Sequence, residues 1–175
     1  MSSLRIPVSP QDHASGPADA PVVLVEYGDY QCPYCGAAYP VVKKLLAAYE
    51  GRVRFVFRNF PLAEVHPEAV DAAFVAEFAA EHGKFWEAHD LLFEHQQQLG
   101  PELYATICER LGLPMDELRV AVSEKRYLAR IRADEEGGIR SGVNGTPTFF
   151  LNGHRLDSGT EGLADALATV MARSS

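Results

Sequence analysis

Long apolar runs, a basic surplus and a cysteine framework are all missing from this chain of 175 residues. No apolar stretch approaches the roughly 20 residues that a membrane-spanning helix needs. Lysine and arginine number 16 against 24 acidic residues, and the resulting net charge of −8 argues against nucleic acid or an anionic membrane surface as partner. Three cysteines cannot all pair within one chain, so the fold is not a disulfide scaffold. Repeats and low-complexity tracts are absent as well. The lead MSSLRIPVSPQDHASGPADAP has one arginine and no apolar block of signal-peptide length, which points to a cytoplasmic location. A leader missing from the sequence would make the location periplasmic or extracytoplasmic.

What is present fits one ordinary globular domain with a sizeable core. PVVLVEY, residues 21–27, is a β-branched and nearly continuous apolar run, as expected of a strand covered on both faces. From Pro33 to Glu50 apolar residues recur at helical spacing, and Gly51 follows as a stop. VRFVFRNF, residues 53–60, reads as a second strand, which completes a right-handed βαβ unit. Helical segments then succeed one another to Arg126, punctuated by Gly and Pro, with one beginning near Met115. Ser123 is expected to cap a longer helix after that. Asn152-Gly153 between apolar runs signals a hairpin, and Ser158 with Glu161 reads as a capping box for the last helix. The fold class expected is α/β, one mixed four-stranded sheet with helices on both faces.

Cys32 falls where the first strand hands over to the first helix. Pro33 suits the first helical position, which makes Cys32 the N-cap, facing unpaired backbone N–H groups and the positive end of the helix dipole. A thiolate there is stabilised. Cys35 lies one turn deeper on the same face, within disulfide reach and less exposed. An exposed low-pKa thiol beside a sheltered one suits disulfide exchange. Glu26 shares the strand face of Val22 and Leu24, and as a buried carboxyl it would keep its proton and could exchange it with Cys35. The competing placement leaves Glu26 solvated or paired with Lys43 or Lys44. By spacing alone the cysteines remain a redox pair, half of a metal site, or core residues. Zinc would want a second paired motif, and Cys108 with six scattered histidines supplies none. Cys108 shares helical spacing with Leu103, Ile107 and Leu111 and reads as core. His82, His89 and His95 read as surface or hydrogen-bonded residues, Trp86 as packing, and Arg54 and Arg58 as structural or solvated.

EYGDYQCPYC followed far downstream by GVNGTPTFFLNG resembles the thioredoxin superfamily, in its DsbA-like branch, from about Ile6 to the C-terminus. KFWEAHDLLFEHQ, residues 84–96, resembles a segment of that branch's helical insertion. The resemblance implies a thioredoxin-like domain over 1–61 and 123–175 and a helical insertion over 62–122. It implies Cys32 as attacking thiol, Cys35 as resolving thiol, Glu26 as the buried acid, and Pro147 as a cis-proline preceded by Thr146. Pro33, Tyr34, Thr146 and Pro147 would meet the substrate, with the Thr146 backbone pairing to an extended strand. The implied activity is thiol–disulfide exchange with protein or peptide substrates and an unnamed redox partner. No metal or organic cofactor is implied beyond the Cys32–Cys35 disulfide, with glutathione as one reductant. Pro33-Tyr34 is the glutaredoxin-like dipeptide, which keeps a glutathione-linked enzyme open as an alternative. A non-catalytic partner-binding module is the other.

Overall fold

β-Branched and aromatic residues crowd two segments of the first third of the chain, and both become central strands. The computed structural model describes residues 2–174. In chain order its elements are His13–Ser15 (β1), Val22–Gly28 (β2), Pro33–Ala48 (α1), Val53–Asn59 (β3), Ala69–Glu81 (α2), Phe85–Glu94 (α3), Pro101–Leu111 (α4), Met115–Ser123 (α5), Leu128–Arg140 (α6), Thr148–Leu151 (β4), His154–Arg155 (β5) and Leu163–Arg173 (α7). A 3-10 turn, Gln96–Gln98, follows α3.

The sheet runs β1-β3-β2-β4-β5, with β2 and β3 parallel and the remaining pairs antiparallel. Five strands replace the expected four. The extra one, β1, comes from the polar lead and has no apolar alternation to announce it. Tertiary contacts hold it: His13 stacks on Phe85 with ring centroids 3.8 Å apart and bonds Glu77 at 2.8 Å, while the Trp86 indole donates to the Ala14 carbonyl. The hairpin forms as expected, with Asn152 and Gly153 at φ 48° and 83°, the pattern of a type I′ turn.

Alternation along β2 and β3 divides the core. Val22, Leu24 and Phe57 face α1 and α3, whereas Val25, Tyr27 and Val56 pack with Phe60, Val143 and Phe150 on the other side. α6 approaches that second side through Gly138, where a Cβ would meet the rings of Phe60 and Tyr27.

Two expected helix starts are corrected. Ser123 ends α5 instead of capping α6, because Lys125 takes a left-handed conformation (φ 54°) and breaks the path. α7 begins at Leu163 with Gly162 as N-cap. Ser158 and Glu161 sit in a turn built around Gly159 (φ 60°), so no capping box forms.

Arg58 fastens the lead to the sheet. Its guanidinium donates to both carboxylate oxygens of Asp12 (2.9 and 3.0 Å), to the carbonyls of Ile6 and Pro7, and to the Tyr27 hydroxyl (2.8 Å). Both partners of the ion pair are buried. Removing one partner leaves an uncompensated charge in the interior, so Arg58→Ala is expected to lower unfolding free energy by about 3–5 kcal/mol. Urea titration measures this, and Arg58→Lys should restore only part of it, because an ammonium lacks the planar fork.

Candidate active site

Between the end of β2 and the start of α1, only Asp29 to Cys32 carry the chain from sheet to helix. Asp29 organises that turn. Its buried carboxylate accepts the N–H of Gln31 (2.8 Å) and of Cys32 (3.2 Å) through Oδ1. Through Oδ2 it accepts the N–H of Leu62 (2.8 Å) and meets His66 Nδ1 at 2.7 Å. Asp29 is absent from the residues expected from sequence. The preference of aspartate for bonding backbone two residues on is the signal that finds it.

Cys32 is the N-cap of α1 and Pro33 its first helical residue, as expected. Pro33 and Tyr34 are exposed, Tyr34 by 75 %. Cys35 is fully buried beneath them. Cys32 itself is only 2 % exposed, which corrects the expectation of an open thiol. The loop before β4 covers it: the Thr146 carbonyl oxygen is 3.5 Å from Cys32 Sγ, and the Thr146–Pro147 bond is cis. Cys32, Cys35, Thr146 and Pro147, far apart in sequence, therefore meet at one end of the sheet.

The two thiols are driven in opposite directions. Cys32 is held down to about 5, chiefly by the Cys35 thiol as hydrogen-bond donor. Burial opposes this, while Thr146 and the backbone N–H groups of Cys35 and Tyr34 assist. The Thr146 hydroxyl is buried and has no hydrogen-bond partner, and the Thr146 side chain is among the groups that lower Cys32. Burial pushes Cys35 well above the ordinary thiol range, and its bond to Cys32 and the charges of Glu26 and Cys32 push it further. Near neutral pH one sulfur is ionised and its neighbour keeps its proton.

Glu26 lies in β2 between Phe57 of β3 and Phe149 of β4 and is 3 % exposed. Burial, and secondarily the charge of Cys32, raise its carboxyl to about 8. Lys43 does not pair with it and instead reaches Asp90 at 3.2 Å. A narrow cavity of about 70 Å³ connects Glu26 with Tyr39, Lys43, His89 and Asp90. Val42, Leu46, Phe55, Trp86 and Phe93 also line it, and its wall is mostly apolar.

The remaining candidates sit elsewhere. His89 is buried and bonds the Tyr30 hydroxyl through Nδ1 at 2.9 Å; burial drives its pKa down to about 3, so the ring is neutral. His82 bonds the Phe78 carbonyl. Cys108 is a buried residue of α4, and Trp86 packs on Phe55 and Phe85. Among the described residues, no three His, Cys, Asp or Glu side chains gather as a metal site. Tyr30 and Gln96, which touch the active-site turn, went unread in the sequence because neither has a local signal.

The family model described as Thioredoxin matches residues 8–168. The chain belongs to the thioredoxin family. The fold is the DsbA-like form of it. Oxidised BdbD from Bacillus subtilis superposes with a TM-score of 0.81 at 21 % identity, over 92 % of this chain and 93 % of that one. Alpha-DsbA1 of Wolbachia pipientis gives 0.81 at 19 % identity, over 98 % and 96 %. A sequence relative is the Na(+)/H(+) antiporter NhaA 3 of Salinispora tropica, 50 % identical over 153 residues, or 87 % of this chain and 23 % of the antiporter. The chain thus spans about a quarter of the length of the curated relatives it matches. No helix among the described residues is long and apolar enough to cross a membrane.

Titration of this family member's active site should show two opposed effects. The folded pKa of Cys32, about 5, lies below its ordinary value of 9.0, so its contribution is full above the ordinary value and fades as pH falls towards 5. The folded pKa of Glu26, about 8, lies above its ordinary 4.5, so its contribution is full below 4.5 and fades as pH rises to 8. In reduced protein, Glu26→Gln is expected to gain stability relative to wild type as pH climbs from 5 to 8, measured by urea unfolding. Thiolate absorbance should titrate near pH 5 in wild type. Removing the leading donor in Cys35→Ala should move that midpoint upward.

Proposed function

We propose that the protein exchanges disulfides with protein or peptide substrates through Cys32 and Cys35, and that its favoured direction is substrate oxidation. The observation that carries the reading is the opposed ionisation of the two thiols beside a cis-proline loop. A stabilised Cys32 thiolate stabilises the dithiol form, and a pair whose reduced form is stable tends to give its disulfide away.

In that direction a substrate thiolate attacks Cys32 Sγ of the disulfide form. The Cys32–Cys35 bond breaks, a substrate–Cys32 bond forms, and Cys35 departs as thiolate. Glu26 carries a proton near neutral pH and supplies it to Cys35. A second substrate thiolate then attacks the substrate sulfur and expels Cys32 as its stable thiolate. The substrate leaves with a new disulfide, and two electrons remain on the pair. A redox partner accepts them to close the cycle. Reduction of substrates is the same sequence reversed, with ionised Glu26 taking the Cys35 proton. The pair itself is the redox group, so the cycle calls for no metal or organic cofactor, and glutathione is one reductant able to meet it. Tyr34, Thr146 and Pro147 border the thiol and offer an extended substrate a surface of low charge, with Pro33 beside them.

Against glutathione buffers, the pair is expected to equilibrate at a potential above about −200 mV, the oxidising side of the known range. A value near −270 mV, that of a reductase, would overturn the direction. Cys32→Ser should abolish exchange on a dithiol peptide, whereas Cys35→Ser should accumulate the mixed disulfide. Full glutathione-dependent activity in Cys35→Ser would favour the glutathione-linked alternative. Loss of the proton donor in Glu26→Gln should slow turnover by about 10²-fold.

The identity to part of NhaA-named antiporters favours a second reading, in which a membrane antiporter of that kind is the partner. Mixing the reduced or the oxidised wild-type protein with a purified antiporter and following sodium-driven proton movement in vesicles tests it. Transport that ignores both the added protein and its redox state would sink this reading.

A further inference from the structure

Asp29 holds the N–H groups of the active-site turn, but the turn's carbonyls need partners as well. The helical segment supplies one. Gln96, first residue of the 3-10 turn after α3, donates its amide through Nε2 to the carbonyl of Tyr30 at 2.9 Å and to that of Cys32 at 2.8 Å. The Cys32 carbonyl also accepts the first helical bond, from Gly36 N at 3.0 Å. Gly36 makes room for this approach, since a Cβ there would run into the Gln96 amide group. Tyr30 in the turn and Tyr39 in α1 both pack on α3: Tyr30 bonds His89, and Phe93 packs against Tyr30 and Tyr39 with centroids 4.8 and 5.3 Å apart.

We infer that Gln96 is a positioning residue: it clamps the Asp29–Cys32 turn from the opposite side to Asp29, so that the helical segment fixes where the Cys32 sulfur sits. The physical argument is the count of constraints. The Cys32 thiolate depends on donors from Cys35, Thr146 and the first helical N–H groups, all of which require its backbone to stay in one place. Asp29 restrains the N–H side of residues 31 and 32, and Gln96 restrains the C=O side of residues 30 and 32. Without the second restraint the turn can pivot on Asp29, and the donors lose their alignment with the sulfur. A buried carbonyl at Tyr30 is also left unpaired, which favours the pivoted arrangement further. Gln96 never touches the reacting atoms; it acts through the backbone of the residue that does.

The inference rests on Cys32 being the attacking thiol of a redox pair, and the experiment separates the two ideas. Thiolate absorbance and the potential against glutathione are measured for wild type, Gln96→Ala, Gln96→Glu and the double variant Gly36→Ala/Gln96→Ala. In the double variant the alanine methyl fills the space the amide leaves, and alanine suits a helix interior better than glycine. The fold is thereby kept while the clamp is gone, which covers the case of Gln96→Ala failing to fold. In both the single and double alanine variants the Cys32 midpoint is expected to rise by about one pH unit, a tenfold loss of thiolate on the acidic side, and the potential to become more negative. Gln96→Glu turns acceptor oxygens towards two carbonyls and should exceed the alanine change. Folded variants with the wild-type midpoint and potential would overturn the clamp, leaving Gln96 a packing residue. Wild type that exchanges no disulfide would overturn the proposed function alone, because the midpoint comparison still decides the clamp.

Discussion

The arrangement at the active site depends on one carboxylate accepting four hydrogen bonds in a space that water does not reach. Asp29 closes the handover from β2 to α1 and, through Leu62 and His66, fastens the segment after β3 to the same point. Parallel strands end side by side, so the segments that follow them emerge together. A carboxylate able to bond both segments sets their separation. The same bonds hold the chain just before Cys32, the N-cap of α1.

A second layer of constraint reaches the site from the interior. Glu26 occupies a sheet position where an apolar residue would pack more favourably, and its neighbours β3 and β4 present phenylalanines. Such a carboxyl costs stability when ionised. The small cavity beside it is also lined by Tyr39, Lys43, His89 and Asp90, polar groups set among apolar ones. His89 stays neutral in the same lining and adds no competing charge.

Much of this was legible in the residues, and the boundary is physical. Periodicity and turn chemistry are local, so β2, β3, α1 and the Asn152-Gly153 hairpin could be read from neighbours in the chain. The N-cap role of Cys32 followed from Pro33 alone. β1 could not be read, because His13 to Ser15 form a strand only against β3, with Trp86 and Glu77 from distant helices securing them. Thr146, 114 residues from Cys32, could be placed beside it through the family resemblance and not from local pattern, and how closely it covers the sulfur was not readable at all. Ser158 and Glu161 carried the spacing of a capping box, yet Gly159 turned the chain before the helix could begin there. The reach of Gln96 is a tertiary fact as well, visible in the sequence only as the absence of a side chain at Gly36.

The cover over Cys32 has a kinetic meaning. The Cys32 residue keeps only 2 % of its surface free, so its sulfur is not openly presented to a partner. The Thr146 carbonyl contact is the part of this cover that lies nearest the sulfur, so the loop before β4 must yield before any reagent can meet Cys32.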